Sequence, residues 1–329
     1  MSSHTVNLLS VSGGKDSTAM ILHSIERNTR NLRYVFADTG NEHDDVYAYL
    51  DYLESTLGIA IQRVKPDFTE RISKKREYIM ANWANKGASK EHIEAALEML
   101  FPTGNPFLDL CVWKGRFPST KVRFCTEELK TIPITKQVVL PLIKEGKRIR
   151  SWQGVRADES ARRATYKMHE RIDFGVWVYR PLLKWTAQDV FALHRKHGIN
   201  PNPLYTKGMN RVGCMPCIMC RKDELAEIAK RFPEVIERIK RWEHAASMAS
   251  RVGSTTFFSV EDVGGEINYA THGIEEAVKW SMTSRGGVQY DLFKATDEIP
   301  ACASNYGLCE VAEIDTANVR AVGRGTRCG

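Results

Sequence analysis

Residues 8–17 read LLSVSGGKDS, and this stretch decides the fold of the chain. Apolar residues 6–11 predict a buried strand, and the apolar residues Ala19, Met20, Leu22 and Ile25 that follow have helical spacing. Glycines at a strand-to-helix turn let backbone N–H groups approach an anion, and the start of the helix adds unpaired donors and its positive dipole end. The predicted phosphate-binding residues are Ser12, Gly13, Gly14, Lys15, Asp16 and Ser17.

The hexapeptide SGGKDS at residues 12–17 resembles the PP-loop of the ATP pyrophosphatases and of the phosphoadenosine phosphosulfate (PAPS) reductase family. It does not fit the G-x-x-x-x-G-K-[ST] loop of kinases and GTPases. The resemblance implies a fold of the adenine nucleotide α-hydrolase type. It also implies a nucleotide that is split between its α- and β-phosphates, so that AMP is handed to an acceptor.

The composition bounds the class of protein. The 329 residues suffice for two domains, or for one large domain with an appendage, and a hydrophobic content of 43% with 26% charged residues is ordinary for a soluble globular protein. We find neither an apolar run of about 18 residues nor a secretion signal, so we expect a cytoplasmic protein without a membrane partner. The net charge of +7 suits an anionic ligand and permits nucleic acid without requiring it.

Further strands are predicted at residues 32–37, 59–64, 149–155 and 176–183, with helical stripes between them. This alternation predicts an α/β fold with a Rossmann-like parallel sheet and helices on both faces. We expect a nucleotide-binding domain over residues 1–200. It includes a helical insertion at about residues 69–121, of which residues 107–121 look like an aromatic loop.

Two more segments follow predicted strands, at the sheet edge where ligands bind in such folds. The first carries Asp38, Thr39 and Gly40, and it resembles the second nucleotide-contacting segment of the family. The second contains three arginines that can fork onto phosphate or sulfate. It resembles the family's G-x-R-x-x-x-S-x-x-R segment, with the pattern residues Gly154, Arg156, Ser160 and Arg163. A solvated basic helix start is the alternative for the second segment.

The cysteines form the second strong signal. Cys214, Cys217 and Cys220 have C-x-x-C-x-x-C spacing, and thiolates at such spacing suit an iron–sulfur cluster or zinc. A fourth ligand is needed, and Cys125 is the candidate. In the reductases that this chain resembles, a cysteine segment after the third strand and a later C-x-x-C together hold a 4Fe-4S cluster. We therefore expect a 4Fe-4S cluster, with zinc or unligated buried thiols as alternatives.

This chain departs from the reductase pattern in three ways. It has a single cysteine at position 125 instead of an adjacent pair, and it adds Cys220, which could replace the missing ligand. It also lacks the reductases' C-terminal E-C-G-L-H segment, because residues 306–310 read YGLCE. The expected nucleophile of a reductase is therefore missing.

Residues 201–250 are expected to form a cysteine-bearing helical lobe, with amphipathic helices at residues 221–232 and 234–248. The segment 251–329 looks irregular, apart from one helix at residues 274–282. Within it, Cys302 and Cys309 are either a redox pair or free thiols, and residues 317–329 look disordered.

Three functions remain open. In the first, ATP binds with Mg²⁺ and an acceptor attacks the α-phosphorus. Lys15 and Arg156 then stabilise the leaving pyrophosphate, Mg²⁺ gives Asp16 a partner, and the adenylated product is open to sulfur. In the second, PAPS or adenosine phosphosulfate is reduced to sulfite. In the third, the chain only binds nucleotide or nucleic acid. The acceptor could be tRNA, DNA, a small metabolite or a protein, and the family resemblance allows a homo-oligomer.

Overall fold

The structure is a computed structural model that describes residues 4–258 and 268–283, together with Ser304, Tyr306 and Leu308. Its centre is a six-stranded sheet with the order β3-β2-β1-β4-β6-β5. The strands are β1 (Thr5–Val11), β2 (Leu32–Ala37), β3 (Ile61–Val64), β4 (Arg148–Trp152), β5 (His169–Arg171) and β6 (Trp177–Tyr179).

All neighbouring strands are parallel except β5 and β6, which are antiparallel. The predicted α/β fold with a mainly parallel sheet is therefore confirmed. The antiparallel edge strand β5 was not predicted, because its sequence HER is exposed at every position and has no apolar alternation.

Helices cover both faces of the sheet. They are α1 (Lys15–Glu26), α2 (Asp44–Leu57), α3 (Thr69–Asn82), α4 (Lys90–Met99), α5 (Pro106–Lys114), α6 (residues 124–144), α7 (Ala161–Ala164), α8 (Ala187–Lys196), α9 (Lys222–Arg231), α10 (Pro233–Met248), α11 (Tyr269–His272) and α12 (Ile274–Ser281). On one face Leu9, Phe36 and Trp152 join the main core with α1 and α2. On the other face Val6 and Leu8 pack against α6.

Helix α6 is irregular, because π-helical turns interrupt it at Glu127–Thr131 and Thr135–Val139. Each of these turns is followed within two residues by a proline, Pro133 or Pro141. Proline has no N–H and its ring crowds the preceding turn, so a regular α-helical ladder cannot run through these positions. The wider turns let the helix continue beneath the sheet.

Several predicted boundaries change. Residues 107–121, expected to be a loop, begin within helix α5, where the Asn105 side chain accepts a hydrogen bond from the Leu108 N–H and Pro106 occupies the first turn. The strands at β3, β4 and β6 are shorter than predicted. The two predicted amphipathic helices α9 and α10 are confirmed, and Thr186 caps helix α8.

Cys302, Cys309 and residues 317–329 lie outside the described residues, so the expectations about them stay untested. Among the residues that are described, no helix has the length and apolar character needed to cross a bilayer.

Candidate functional site

The loop at residues 12–14 joins the end of β1 to the start of α1. Gly13 has a φ of +69°, which a residue with a side chain adopts only under strain. The Ser17 hydroxyl donates to the Gly14 carbonyl at 2.9 Å, and the Ser12 N–H donates to the Ser17 hydroxyl oxygen at 3.2 Å. The loop therefore closes on Ser17. Gly14 caps α1 without any side-chain hydrogen bond to the helix N–H groups.

Gly154 brings the end of β4 against the first turn of α1. A Cβ atom at this position would lie 3.1 Å from the carbonyl oxygen and 3.2 Å from the carbonyl carbon of Asp16. Both are backbone atoms, which cannot rotate away as a flexible side chain can. The close approach of these two segments therefore needs glycine at position 154.

Charged groups meet at the start of α1. The Lys15 Nζ lies 3.1 Å from Asp16 Oδ2, and the Arg156 Nε lies 2.7 Å from Asp16 Oδ1. Lys15 and Arg156 are each only 4% exposed, whereas Asp158, which pairs with Arg156 Nη1 at 2.8 Å, is exposed. Two buried cations thus share one half-buried carboxylate beside a helix N-terminus, and this arrangement favours an anionic ligand.

Residues far away in the sequence surround Lys15. Its ammonium nitrogen lies 5.5 Å from the ring centre of Tyr205 and 5.1 Å from that of Tyr306. The backbone N–H of Lys15 donates to the Tyr205 hydroxyl oxygen at 2.9 Å, and the His194 Nε2 lies 2.9 Å from the Lys15 carbonyl oxygen. Burial lowers the pKa of His194 and raises that of Tyr205, so both side chains are neutral near pH 7. Sequence reasoning missed these neighbours, since no local pattern marks them.

Ser160 and Arg163 have local partners. The Ser160 hydroxyl oxygen accepts a hydrogen bond from the Arg163 N–H at 3.3 Å and caps α7, while the Arg163 side chain pairs with Glu159. Of the predicted glycine–arginine segment, the structure thus brings Gly154 and Arg156 against the loop at residues 12–17. The roles of Ser160 and Arg163 in nucleotide binding stay predictions.

Asp38, Thr39 and Gly40 form a tight turn after β2. Asp38 Oδ1 accepts hydrogen bonds from the Tyr47 hydroxyl at 2.8 Å and from the Gly40 N–H at 3.0 Å. Thr39 is fully buried, and its hydroxyl donates to the Glu42 carboxylate at 2.8 Å. Thr39 and Glu42 lie on the side of this turn that faces the cysteine segment, residues 214–220.

The cysteine segment docks on that turn. The Met215 N–H donates to the Asn41 carbonyl at 2.7 Å, and the Asn41 side-chain amide donates to the Pro216 carbonyl at 3.0 Å. Arg238 of α10 donates to both the Asn41 side-chain oxygen, at 3.0 Å, and the Met215 carbonyl, at 2.6 Å. Sequence reasoning did not predict these contacts of Asn41 and Glu42 with the cysteine segment, and it missed Arg238.

The four predicted metal-binding cysteines are all half-buried. Cys214 Sγ lies 3.4 Å from the Thr39 hydroxyl and 3.7 Å from Glu42 Oε1, and burial raises the pKa of Cys214 to about 12. Burial also raises the pKa of Cys125, with nearby Cys217 adding to the shift, and it raises the pKa of Cys220. Cys111 is fully buried in the main core.

The donor chemistry of this cluster fits a thiolate-bound centre, and the cationic side chains of Lys130 and Arg211 interact with Cys214 and Cys217. The positions of the four thiols do not fit such a centre, because each thiol has its own local contact. The Cys220 thiol, for example, donates to the Arg221 carbonyl at 3.5 Å. Within the described ranges, no three or more His, Cys, Asp and Glu side chains are grouped so that they could hold a metal ion.

Comparison with known proteins identifies the family. Residues 6–220 match the model of the phosphoadenosine phosphosulfate reductase domain. The chain is 50% identical over 326 residues to a protein of Escherichia phage 186 described as an uncharacterized 37.8 kDa protein, a match that covers 93% of this chain and 97% of that one. It is 26% identical over 206 residues to adenosine 5'-phosphosulfate reductase of Mesorhizobium japonicum, covering 62% of this chain and 63% of the reductase.

Among solved structures, PAPS reductase from Candida auris in a phosphate complex is similar with a TM-score of 0.41 and 16% identity, over 65% of this chain and 82% of that chain. The family model alone covers well over half of the present sequence. The chain therefore belongs to the phosphoadenosine phosphosulfate reductase family.

Proposed function

We propose that this protein is an enzyme that binds ATP with Mg²⁺ and cleaves it between the α- and β-phosphates, so that an acceptor becomes adenylated for sulfur-transfer chemistry. The observation that carries the proposal is the buried pair of cations, Lys15 and Arg156, which share Asp16 at the N-terminus of α1. A polyphosphate supplies the additional negative charge that these groups attract.

Each residue at this end of α1 has a role in the proposal. The N–H groups of Gly13 and Gly14 and the Lys15 ammonium bind the β- and γ-phosphates, whereas the Lys15 backbone N–H stays on the Tyr205 hydroxyl. Arg156 stabilises the charge that develops on the leaving pyrophosphate. Asp16 faces the Mg²⁺ that accompanies ATP, since a carboxylate is a preferred ligand of this cation. The hydroxyls of Ser12 and Ser17 hold the loop closed, that of Ser17 by donating to the Gly14 carbonyl, and they turn to the phosphates when nucleotide binds. The turn at residues 38–40 contacts the rest of the nucleotide.

Binding requires a change beside Lys15. Lys15 is 4% exposed and lies against the ring of Tyr306, whose hydroxyl donates to the Asn210 carbonyl at 2.7 Å. A phosphate that contacts the ammonium group takes the place of one of its present neighbours. The ring of Tyr306 is the neighbour contributed by the C-terminal segment, and we expect it to move away.

Cys125, Cys214, Cys217 and Cys220 remain the proposed ligands of a 4Fe-4S cluster, with zinc as the alternative. Such a centre would supply thiolate-bound metal able to hold or relay sulfur. The thiols would have to leave their present local contacts to bind such a centre, and the cleavage of ATP proposed above does not depend on it. Iron, zinc and sulfide analysis of protein purified without oxygen tests this assignment: iron with equimolar sulfide supports the cluster, and zinc alone rejects it.

The reaction is tested by incubating protein prepared without oxygen with ATP and Mg²⁺ or with PAPS or adenosine phosphosulfate plus a thiol reductant. Pyrophosphate and AMP from ATP support the proposal, and the Lys15→Ala variant should lose this activity. Sulfite from either phosphosulfate, without cleavage of ATP, contradicts it.

A second candidate is PAPS or adenosine phosphosulfate reduction. It is favoured by the 26% identity with the adenosine 5'-phosphosulfate reductase of Mesorhizobium japonicum. The motif E-C-G-L-H that carries the reductase nucleophile is missing from this sequence, so we rank this function second. A binding component without catalysis would be indicated if Lys15→Ala abolished nucleotide turnover and left biological activity intact.

The acceptor is a separate part of the proposal. tRNA and DNA are candidates because the chain carries a net charge of +7, although this charge alone does not choose between them and a small metabolite or a protein. Supplying each class of acceptor in the ATP assay, and looking for its adenylated form, distinguishes them.

A further inference from the structure

A groove of about 970 Å³ lies on the sheet away from the site just described. It is formed by the first residues of β1, by β4 and β6, and by the connection between α1 and β2 at residues 27–31. Ser12 lies five positions beyond Asn7, which is in the floor of the groove, and at the usual rise per residue this is about 17 Å. The groove is therefore distinct from the loop at residues 12–17.

The topology explains why this face is open. Asn7, Arg150 and Trp177 lie side by side in register on β1, β4 and β6. Helix α1 covers the same face further along the strands and ends at Glu26, so none of the described helices lies over the first half of this face. The Asn7 side-chain amide donates to the Arg30 carbonyl at 2.8 Å and thereby fixes the wall of the groove.

Four arginines line this groove, which we call the arginine groove: Arg27, Arg30, Arg148 and Arg150. No Asp or Glu is among its lining residues in the described part of the chain, and none of the four arginines has an ion pair with a described carboxylate. Arg63, Arg71 and Arg180 elsewhere on the molecule do have such partners. The groove thus concentrates positive charge that nothing in its walls neutralises.

Flat aromatic side chains accompany these charges. Trp177 is 48% exposed, an unusual state for a large apolar ring. The rings of Tyr179 and His169, which are paired across β6 and β5, stack with centres 4.7 Å apart and an angle of 7° between them. Trp152 lies beside Tyr179 on the neighbouring strand, with ring centres 4.7 Å apart, and its indole N–H donates to the Asn7 side-chain oxygen at 3.0 Å.

We propose that the arginine groove binds single-stranded nucleic acid, with phosphates on the arginines and unpaired bases stacked on Trp177 and against the His169–Tyr179 pair. Arginine forks match phosphate oxygens, and stacking on aromatic rings is how proteins hold unpaired bases without reading their sequence. A duplex keeps its bases stacked inside and presents no free base faces to these rings. An acidic protein segment would satisfy the arginines and leave the aromatic faces unexplained.

The test is fluorescence anisotropy with labelled single-stranded DNA and RNA of about 12 nucleotides, titrated with the full-length protein at several salt concentrations. In the Arg148→Ala/Arg150→Ala double variant we expect about tenfold weaker binding and a salt-dependence slope reduced by roughly 1.4, because two phosphate contacts are lost. Trp177→Ala should weaken binding about tenfold without changing the slope, and Trp177→Phe should restore most of it. Arg241→Ala, an exposed arginine on α10, is the matched control and should bind like the wild type.

Three results overturn the proposal. One is no binding of either strand by the wild type at about 100 µM protein in about 50 mM salt. Another is that Trp177→Ala keeps the wild-type affinity for the single strands, or that a duplex binds as tightly as they do and equally tightly to this variant. The third is a wild-type dimer that the groove variants dissociate while no oligonucleotide binds, which would make this face a contact between two copies of the chain. Lys15→Ala should leave oligonucleotide binding unchanged, so failure of the ATP proposal would not be confused with failure here.

Discussion

At the scale of single residues, glycines decide how closely the backbone segments of the site approach one another. Gly13 supplies a left-handed turn, and Gly154 allows β4 to abut the carbonyl of Asp16. The charged side chains then meet because these backbones do: Arg156, two residues after Gly154, reaches Asp16. The positions without a side chain are thus as important for the anion site as those with a charge.

Gly154→Ala should destabilise the protein by about 1–3 kcal/mol, because its methyl group lies too close to backbone atoms that cannot rotate aside. It should also weaken nucleotide binding, because the first turn of α1 must shift. Urea unfolding and nucleotide titration measure the two effects. Ser151→Ala, in strand β4 just before this position, is the control. Wild-type stability in Gly154→Ala would show that the contact is not tight.

Prediction from sequence worked best where the signal is local. The strand, glycine loop and helix at residues 6–26 are confirmed, since periodicity and loop composition agree there. Tyr205 and His194 escaped prediction because they reach Lys15 from about 180 to 190 positions further along the chain. Only the folded chain reveals such contacts.

At the scale of elements, helix α10 connects the C-terminal part of the described chain to the cysteine segment. Through Arg238 it donates to Asn41 and to Met215, and through Glu243 it accepts hydrogen bonds from the N–H groups of Phe257 and Ile274 at 2.7 and 2.8 Å. The predicted amphipathic helix is confirmed, whereas these polar contacts on its buried side could not be read from periodicity alone.

Glu243 predicts a pH dependence of stability. It is 1% exposed, and burial raises the pKa of its carboxyl from 4.5 to about 7. The folded protein therefore holds a proton that the unfolded chain releases, and stability falls as pH rises through the window from 4.5 to about 7. The loss is about 1.4 kcal/mol per pH unit at most.

Urea unfolding of the wild type and of Glu243→Gln between pH 5 and pH 7 measures this effect. The stability advantage of the wild type over the variant should shrink as pH rises, because glutamine does not ionise. An advantage that stays constant, or that grows toward pH 7, would show that Glu243 is ionised throughout.

At the scale of the whole molecule, the sheet brings two signals that are far apart in sequence to one edge. The loop at residues 12–17 and the turn at residues 38–42 follow neighbouring parallel strands, and the cysteine segment docks on that turn. Family membership agrees with this arrangement. The sequence indicated both segments, but not the contacts that bring the thiols against Thr39 and Glu42, because these form only on folding.

The central claim is that residues 12–17 bind the polyphosphate of an adenine nucleotide. Equilibrium binding of radiolabelled ATP with Mg²⁺ to wild type and Lys15→Ala tests it most directly, with Lys196→Ala, an exposed lysine of α8, as the control. We predict saturable wild-type binding that is unaffected in the control and weakened about 30-fold in Lys15→Ala, corresponding to about 2 kcal/mol for a charge-assisted contact. Equal affinity of wild type and Lys15→Ala for ATP would contradict the account.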